Sequence, residues 1–459
     1  MKQILQSLAD GETLLAEVPA PKTLPGTLLI NTRRSLISAG TERMLLSFGK
    51  ANLVGKARQQ PDKVRMVLDK VRSDGLTSAL QSVKARLDQP VPLGYCNAGV
   101  VVEVGDEVSG FRPGDRVVSN GAHAEFVCVP QNLCSIVPAD VNDEQASFAV
   151  AGAIALQGIR LVQPTLGERV AVIGLGLIGL LTVQLLRAHG CRVLSFDTDT
   201  ERCSIAESFG ARAVALSECE DPIRLAQTFS NGYGMDAVII AAAANDDGPI
   251  RQAAEICRKR GRIVLVGVAD TRLSRDLFYR KELTFQVSCS YGPGRYDPEY
   301  EEHGRDYPIA YVRWTAQRNF EAVLDMLSNG MLQVEPLITR RFPVTQATQA
   351  YAALENDSPL AIVLEFAPDS SQVAAEGTAA GSVPLPDRVL NLAANTTHEK
   401  IRTDSIGVLG AGNYASRVLI PAFRDAGAHL QTLVTATGMN GAIVGRRFGF
   451  ADTATEAAR

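Results

Sequence analysis

The chain has 459 residues, a formal net charge of −4 and an aromatic content of 6%. This length is enough for roughly three domains of common size, and the charge gives no reason to expect a nucleic acid partner. No apolar run approaches the ~20 residues that span a bilayer, and the eight cysteines contain no C-x-x-C pair. Because the first residues do not form a signal peptide, we expect a cytoplasmic protein with reduced thiols and no membrane contact.

The first 90 residues change character near residue 47. Residues 1–46 read as short strands and turns, with the clearest strand at 26–32. Within 47–90, Val64, Val67, Leu68 and Val71 follow the i, i+3, i+4, i+7 spacing of one helix face. The pattern predicts a helical insertion at 47–90 in a β-rich domain, with its basic residues on a solvated face.

Three β-rich motifs follow Pro92. They are LGYCNAGVVVEVG at 93–105, FRPGDRV at 111–117 and GAHAEFV at 121–127. In this order they resemble the catalytic domain of the medium-chain dehydrogenase/reductase superfamily, in which a GroES-like domain precedes a Rossmann domain. The resemblance covers residues 1 to about 367. It implies a GroES-like domain at 1–140, a Rossmann domain at 141–290, and a substrate loop with the return to the catalytic domain at 291–367.

The zinc ligands of that superfamily are missing at the matching positions. Ala39, Tyr95 and a residue near Val150 stand where zinc members carry their catalytic ligands, and the four-cysteine zinc lobe is absent. A catalytic zinc needs about three N, S or O donors from the protein. His123 and Cys96 lack such partners and read as ordinary packed residues, so we expect no metal and no zinc.

Without zinc, another group must stabilise the alkoxide that develops during hydride transfer. Tyr95 occupies the place of the zinc histidine, so its phenol is our candidate acid. Thr41 and Glu42 stand beside the place of the first zinc cysteine and are candidates for positioning the hydroxyl or relaying the proton. The alternative is that Tyr95 only fills the vacated metal space, and both readings stay open.

Residues 169–197 carry a dinucleotide-binding pattern. An apolar strand at 170–173 runs into a complete G-x-G-x-x-G, a helix follows, and a second strand ends at Asp197, 18 residues past the last glycine. The glycines allow a tight turn, approach of a pyrophosphate and close helix–strand packing, and the helix N-terminus attracts the phosphates. The predicted cofactor residues here are Gly174, Leu175, Gly176, Leu177, Ile178, Gly179 and Asp197.

The acid at the second strand favours NAD over NADP. Asp197 can accept hydrogen bonds from a ribose diol and would repel a 2′-phosphate. Arg202 follows five residues later, where it either stacks on the adenine or is simply solvated.

Two more apolar strands, at 237–241 and 261–267, continue a doubly wound parallel sheet. Because ligands bind at the carboxyl ends of such strands, we expect the nicotinamide beside Ala241, Val266 and Gly267. Residues 283–288 alternate in polarity, which predicts an exposed edge strand through which a homodimer pairs.

Residues 289–319 are rich in tyrosine and arginine. Such a segment can bind a polyhydroxylated or anionic ligand by stacking and bidentate bonds, or it can be an ordinary surface loop. Our candidate substrate residues are Tyr291, Arg295, Tyr296 and Arg313.

The last part of the chain contains a second glycine-rich pattern. Residues 368–402 are rich in Ala, Ser, Gly and Pro and predict a linker. A strand then runs into G-x-G-x-x-A at 410–415, which resembles the start of the Gfo/Idh/MocA oxidoreductases. Since residues 403–459 hold only part of that domain, we expect a truncated second Rossmann domain, as in bi-domain oxidoreductases that join the two families.

Together these patterns predict an α/β protein with a GroES-like domain, a doubly wound Rossmann domain and a partial second one. The favoured function is NAD-dependent, zinc-independent hydride transfer between nicotinamide and an alcohol or carbonyl compound, such as a sugar, polyol or nucleotide sugar. The alternative is an NAD(H)-binding scaffold or redox sensor without catalytic activity.

Overall fold

The computed structural model describes residues 1–51, 87, 89–217, 221–366, 387–392 and 404–457. Most of the helical insertion expected at 47–90, including the stripe from Val64 to Val71, lies outside these residues. Among the described helices, none has both the length and the apolar character needed to cross a membrane.

The amino-terminal domain is built from antiparallel strands with two short helices at its edges. The elements are β1 (Lys2–Gln6), β2 (Thr13–Glu17), β3 (Thr27–Ser38), α1 (Ala39–Lys50), β4 (Val91–Pro92), β5 (Asn97–Val104), β6 (Arg116–Ser119), β7 (Phe126–Pro130), β8 (Cys134–Ile136) and α2 (Asp143–Ala146). Three strands form a sheet of order β2-β1-β4. The others join a seven-stranded sheet that is completed by two strands from later in the chain, Ile338–Pro343 and Ala361–Glu365.

The long helix α3 (Ala149–Val162) leads from the β domain into the parallel sheet. Ten of its residues are buried, because it packs between the sheet and a later helix. The elements that follow are β9 (Arg169–Ile173), α4 (Leu177–Ala188), β10 (Arg192–Asp197), α5 (Thr200–Ser208), β11 (Arg212–Ala215), α6 (Pro222–Phe229), β12 (Met235–Ile240), α7 (Gly248–Ile256), β13 (Cys257–Leu265), α8 (Arg275–Lys281) and β14 (Thr284–Val287).

These elements form a six-stranded sheet whose strands are all parallel, in the order β11-β10-β9-β12-β13-β14. Buried β-branched residues fill the central strands, as expected for a sheet covered on both faces. The order reverses between β9 and β12, so the carboxyl ends of these strands form the crevice in which such sheets bind ligands. The expected strand at 283–288 is β14, which lies at one edge of this sheet, and pairing of two subunits through it stays a prediction.

The chain then returns to the first domain. The elements are α9 (Pro298–Glu301), α10 (Ala316–Ser328), β15 (Ile338–Pro343), α11 (Ala347–Asn356) and β16 (Ala361–Glu365), with β16 antiparallel to β3. This return places Tyr351 of α11 against the helix α1, close to the residues proposed for catalysis.

The carboxyl-terminal part contains β17 (Val389–Asn391), β18 (Ser405–Leu409), a π-helical turn (Ala415–Leu419), α12 (Ile420–Asp425), β19 (His429–Val434), α13 (Met439–Phe448) and β20 (Asp452–Ala454). Its strands form a fourth sheet of order β17-β20-β19-β18, the carboxyl-terminal sheet. Within residues 368–402, predicted as a linker, β17 pairs antiparallel with β20. Three residues are too short a run to show a strand pattern in the sequence.

The carboxyl-terminal sheet packs directly on the first domain. The guanidinium of Arg388 lies 2.5 Å from the carboxylate of Glu103 and 2.6 Å from that of Glu456. The hydroxyl of Thr455 donates to the carbonyl oxygen of Ala20 at 2.6 Å, and Ala20 N–H donates to the carbonyl oxygen of Asp387. Charge-assisted and backbone bonds of this kind fix the sheet on the segment that follows β2.

Candidate active site

The glycine-rich turn between β9 and α4 has the geometry that the sequence predicts. Gly174 has φ +95°, and a Cβ there would lie 2.6 Å from the backbone nitrogen of Ala242. A Cβ at Gly179 would lie 1.9 Å from the carbonyl oxygen of Gly174, so the helix can pack this close only without a side chain. A Cβ at Gly176 would meet no atom within 4 Å. The space over Gly176, at the N-terminus of α4, is therefore open to an anionic ligand.

The apolar residues of the turn pack into the core of the parallel-sheet domain. Leu175 and Leu177 are buried, and Ile178 is half-buried against the same core. The helix α4 then continues with buried residues on almost every turn. The turn is thus anchored by apolar packing, and the N–H of Gly174 is bonded to the carbonyl oxygen of Phe196.

Asp197, at the end of β10, is held against this turn. One carboxylate oxygen accepts a hydrogen bond from the backbone N–H of Leu175 at 2.5 Å. The other accepts from the backbone N–H of Asp199 at 3.0 Å. The carboxylate is thereby oriented next to the open space over Gly176, where the ribose of a dinucleotide would lie.

Arg202 contacts Asp199 and Ser358. Its Nε lies 3.2 Å from a carboxylate oxygen of Asp199, and a terminal nitrogen donates to the carbonyl oxygen of Ser358 at 3.2 Å. These contacts draw the guanidinium toward Asp199 and Ser358. Stacking of Arg202 on an adenine stays a prediction.

Ala241, Val266 and Gly267 meet at the carboxyl ends of β9, β12 and β13. Ala241 N–H donates to the carbonyl oxygen of Ile173 at 2.8 Å, and the N–H groups of Val266 and Gly267 both donate to Ile240 at 2.9 Å. A Cβ at Gly267 would lie 2.1 Å from the carbonyl oxygen of Ala242. The three positions therefore line one wall of the crevice predicted for the nicotinamide.

Tyr95 and Thr41 form a pair in the first domain. The Tyr95 hydroxyl donates to Oγ1 of Thr41 at 3.2 Å, the ring of Tyr95 is half-buried, and Thr41 is exposed at the start of α1. Burial of the phenol raises the pKa of Tyr95 above its ordinary value, and Cys96 adds to this, while hydrogen bonds with Ser38 and Thr41 oppose it. Tyr95 therefore holds its proton at neutral pH and can donate it.

Glu42, the third candidate, points away from this surface. It is fully buried, and its carboxylate accepts hydrogen bonds from the hydroxyl of Tyr351 and from the backbone N–H of Ser38 at 3.2 Å. Nε2 of His123 lies 3.2 Å from the same carboxylate. Glu42 thus ties α1 to β3, to α11 and to the loop before β7. A direct contact of Glu42 with substrate has no support in this geometry, and its role stays a prediction.

His123 is held at both ring nitrogens. Nδ1 lies 2.6 Å from Oγ of Ser35, which also donates to the carbonyl oxygen of Cys96 at 2.7 Å, and Nε2 faces the carboxylate of Glu42. The sequence predicts an ordinary packed residue at His123. The residue is buried, and its partner Glu42 lies 81 positions away in the chain, where no local pattern indicates it.

The donors present do not fit a catalytic zinc. At the three matching positions Ala39 and Val150 are buried and apolar, and Tyr95 is committed to Thr41. The thiol of Cys96 is fully buried, and burial raises its pKa well above the ordinary value, with Glu42 adding to the shift. Within the described part of the chain, no group of three or more His, Cys, Asp or Glu is arranged to hold a metal.

Tyr291 and Arg295 are engaged in packing contacts within the predicted substrate segment. The side chain of Tyr291 is 3% exposed, its hydroxyl accepts from Asn120 at 3.0 Å, and burial raises its pKa to about 12. Arg295 pairs with Glu301 at 2.6 Å and lies 4.1 Å over the ring of Tyr296, which is 72% exposed. Of these three candidates, only Tyr296 presents most of its surface to solvent.

The same segment is fastened to the first domain. Asn132 donates to the carbonyl oxygen of Tyr300 at 2.9 Å, and the Tyr300 hydroxyl donates back to Asn132 at 3.2 Å. Gln317 adds bonds to the carbonyl oxygens of Gln131 and Cys134. Because the segment follows β14 of the parallel sheet, these bonds couple the two domains on either side of the crevice.

The fourth candidate, Arg313, lies 3.8 Å over the ring of Trp314. Arg160, from α3, lies 3.3 Å from the same ring centroid. Arg160 was not singled out in the sequence, since the contact joins residues far apart in the chain.

Comparison with known proteins agrees with this two-domain architecture. An alcohol dehydrogenase GroES-like domain model matches residues 70–140, and a zinc-binding dehydrogenase model matches residues 178–303. A sorbitol dehydrogenase from Halalkalibacterium halodurans is 23% identical over 311 residues, which cover 60% of this chain and 83% of that protein.

Solved structures share the fold. Alcohol dehydrogenase TADH from Thermus sp. ATN1 superimposes with a TM-score of 0.61 at 21% identity, covering 80% of this chain and 99% of that one. Galactitol-1-phosphate dehydrogenase from Escherichia coli gives 0.61 at 20% identity, covering 80% and 100%. A GroES-like domain joined to a Rossmann domain is thus the fold of this chain. The fold and the similarity to these relatives together indicate an NAD(P)-dependent alcohol/polyol dehydrogenase-like oxidoreductase.

Proposed function

We propose that the protein transfers a hydride between NAD and an alcohol or carbonyl group of a polyol, sugar or nucleotide sugar, without a catalytic zinc. The observation that carries the proposal is the open space over Gly176, with Asp197 held beside it. The carboxylate favours NAD over NADP because a 2′-phosphate would meet a like charge. The engagement of Arg202 by Asp199 and Ser358 leaves that preference unopposed.

When bound, the nicotinamide supplies or accepts the hydride, and the protein must manage the proton. In the direction of reduction, Tyr95 donates its phenolic proton to the carbonyl oxygen as the hydride reaches the carbonyl carbon. At rest this hydrogen is donated to Oγ1 of Thr41, and when the carbonyl oxygen takes it, the Thr41 hydroxyl can donate its own hydrogen to the phenolic oxygen. The raised pKa keeps Tyr95 protonated at neutral pH, so the phenol is available as a hydrogen-bond donor and proton source for the carbonyl oxygen.

The substrate class rests on the relatives. One is named as a sorbitol dehydrogenase and one structural neighbour as a galactitol-1-phosphate dehydrogenase. Both names describe linear polyols or their phosphates, so we propose a polyol-type substrate here.

The test is a panel of polyols, polyol phosphates, sugars and nucleotide sugars with NAD and NADP. It is run on protein with measured metal content, before and after treatment with a chelator. We expect NAD-linked turnover that is unchanged by the chelator and independent of bound zinc. Turnover that falls with zinc removal would refute zinc independence. Tight NADH binding with no turnover on the whole panel would favour the scaffold or sensor.

For the carboxyl-terminal sheet we propose a fold of the Gfo/Idh/MocA type. Support comes from the parallel β18-β19-β20 arrangement with helices between the strands, and from Gly410, which follows β18 with φ +94°. Thr435, at the end of β19, stands where an acid would bind a ribose, and its hydroxyl accepts from the N–H of Gly441. Nucleotide binding by this sheet can be measured in a variant whose first glycine-rich turn, residues 174–179, no longer binds a nucleotide.

A further inference from the structure

Arg160, Trp314 and Arg313 form a stack that the proposed reaction does not use. The guanidinium carbons lie 3.3 Å and 3.8 Å from the centroid of the indole. Two guanidinium groups cannot both lie this close to one centroid on the same face without overlapping. They therefore lie on opposite faces of the ring, roughly 7 Å apart, with the indole between them.

The stack is held rigidly from one side. Nε of Arg160 donates to the side-chain oxygen of Asn319 at 2.7 Å. Asn319 is fully buried, and its amide nitrogen donates to the carbonyl oxygen of Tyr291 at 2.9 Å. Arg160 is thus fixed to α10 and to the segment after β14, with its terminal nitrogens left for another partner.

Neither arginine has an acidic partner among the described residues. Arg160 has the single side-chain bond to Asn319, and no ion pair within 4.0 Å is formed by Arg313, which is exposed. Burial raises the pKa of Glu321, and the positive charge of Arg313 opposes this shift. No ion pair joins the two side chains. Burial lowers the pKa of Arg160 to about 10, and the charge of Arg313 adds to this. Two cations are thus held near each other without an acid in ion-pair contact among the described residues.

We propose that Arg160 and Arg313, on either face of Trp314, form a binding site for a phosphate group. Each guanidinium presents donors in a planar fork suited to phosphate oxygens. Because the indole fills the space between the two planes, the phosphate would lie at the ring edge, where charge-assisted N–H···O bonds of ~2.8 Å from the two forks reach different oxygens of one group. Two positive charges match the dianion of a phosphate monoester or of inorganic phosphate better than they match a monoanionic carboxylate.

The phosphate comes either from a phosphorylated substrate or from free phosphate. If it belongs to the substrate, this inference rests on the proposed function. Binding itself does not, because it is measured without cofactor and without turnover.

Trp314 is the only tryptophan of the chain, so its fluorescence reports directly on the site. The full chain is titrated with inorganic phosphate, and in parallel with a polyol phosphate, against potassium chloride at equal ionic strength. Calorimetry of the same titrations gives a second readout. We expect saturable binding of a phosphate compound. We also expect binding at least 10-fold weaker in Arg313→Gln, and an intermediate loss in Arg313→Lys, which keeps the charge but not the fork.

Arg305→Gln is the matched control, because Arg305 lies in the same segment, is 75% exposed and pairs with Glu299. Binding of inorganic phosphate identifies a free-phosphate site, and binding of the polyol phosphate alone identifies a substrate subsite. If neither compound binds better than chloride, the proposal is overturned. It is equally overturned if Arg313→Gln binds as tightly as the wild type, or if Arg305→Gln loses as much affinity as Arg313→Gln.

Discussion

Glu42 and His123 form a fully buried pair, with 3.2 Å between a carboxylate oxygen and Nε2. The pair is completed by the Tyr351 hydroxyl on the acid and by Ser35 Oγ on the imidazole. The ring of His123 also packs on Gly94, where a Cβ would lie 2.5 Å from the ring. Since Gly94 precedes Tyr95 and Glu42 follows Thr41, the buried pair sits directly behind the two residues proposed to handle the proton.

Replacing Glu42 should destabilise the protein. Its buried carboxylate accepts from Tyr351 and Ser38 and faces His123, and a buried polar group that loses its partner costs ~1–3 kcal/mol. We therefore expect Glu42→Gln to lower the free energy of unfolding by about that amount in chemical denaturation. Glu355→Gln is the control, because Glu355 pairs with Lys50 at the surface, where such pairs contribute ~0–1 kcal/mol. Equal effects of the two changes would contradict the buried pair.

Gly176 and Gly179 should respond differently to a side chain. Gly176→Ala meets no atom within 4 Å, so we expect a folded protein that binds NADH at least ~10-fold more weakly, since the methyl group fills the pyrophosphate space. Gly179→Ala would force its Cβ against the carbonyl oxygen of Gly174, and we expect loss of thermal stability as well. Gly407→Ala, with its nearest contact at 3.8 Å, is the control. Undiminished NADH affinity in Gly176→Ala would place the cofactor elsewhere.

Replacing Asp197 should relax the choice of cofactor. Asp197→Asn keeps an oxygen that can accept the N–H of Leu175, but it removes the charge that repels a 2′-phosphate. We expect the ratio of NAD to NADP affinity to fall by ~10-fold or more in calorimetric titrations, mainly through better NADP binding. A wild-type protein that prefers NADP would refute the role of this acid from the start.

The sequence predicted the nucleotide turn well because its information is local. Gly174, Gly176 and Gly179 lie within six residues, and Asp197 ends the next strand. The partners of Glu42 could not be predicted in the same way, because its contacts with His123 and Tyr351 join residues 81 and 309 positions apart. The Arg160–Trp314 contact was missed for the same reason. The contact with Tyr351 forms only because α11 returns to the first domain with the last strands.

Alkaline pH should destabilise the protein through its buried tyrosines. An unfolded tyrosine has a pKa of about 10, whereas Tyr291 is raised to about 12 by burial. The folded state keeps this proton after the unfolded state has lost it. The contribution of Tyr291 to stability is therefore complete below pH 10 and declines by ~1.4 kcal/mol per pH unit until about pH 12. Denaturation curves from pH 9 to 11.5 should show a shallower decline for Tyr291→Phe than for the wild type. Tyr233→Phe, at a side chain 74% exposed, should leave the slope unchanged.

Tyr95→Phe tests the proposed acid. The change removes the hydroxyl that bonds Thr41 but keeps the ring, so we expect the fold and NADH affinity to be retained. The rate of carbonyl reduction should fall by ~10²-fold or more, the usual contribution of a positioned acid. Because burial raises the pKa of Tyr95, wild-type reduction should show no loss from ionisation of this phenol between pH 6 and pH 9. Thr41→Val, which removes the partner but not the phenol, should cause a smaller loss in kcat. If Tyr95→Phe turns over at the wild-type rate, Tyr95 only packs the space of the absent metal ligand, and the proton must come from another donor in the crevice.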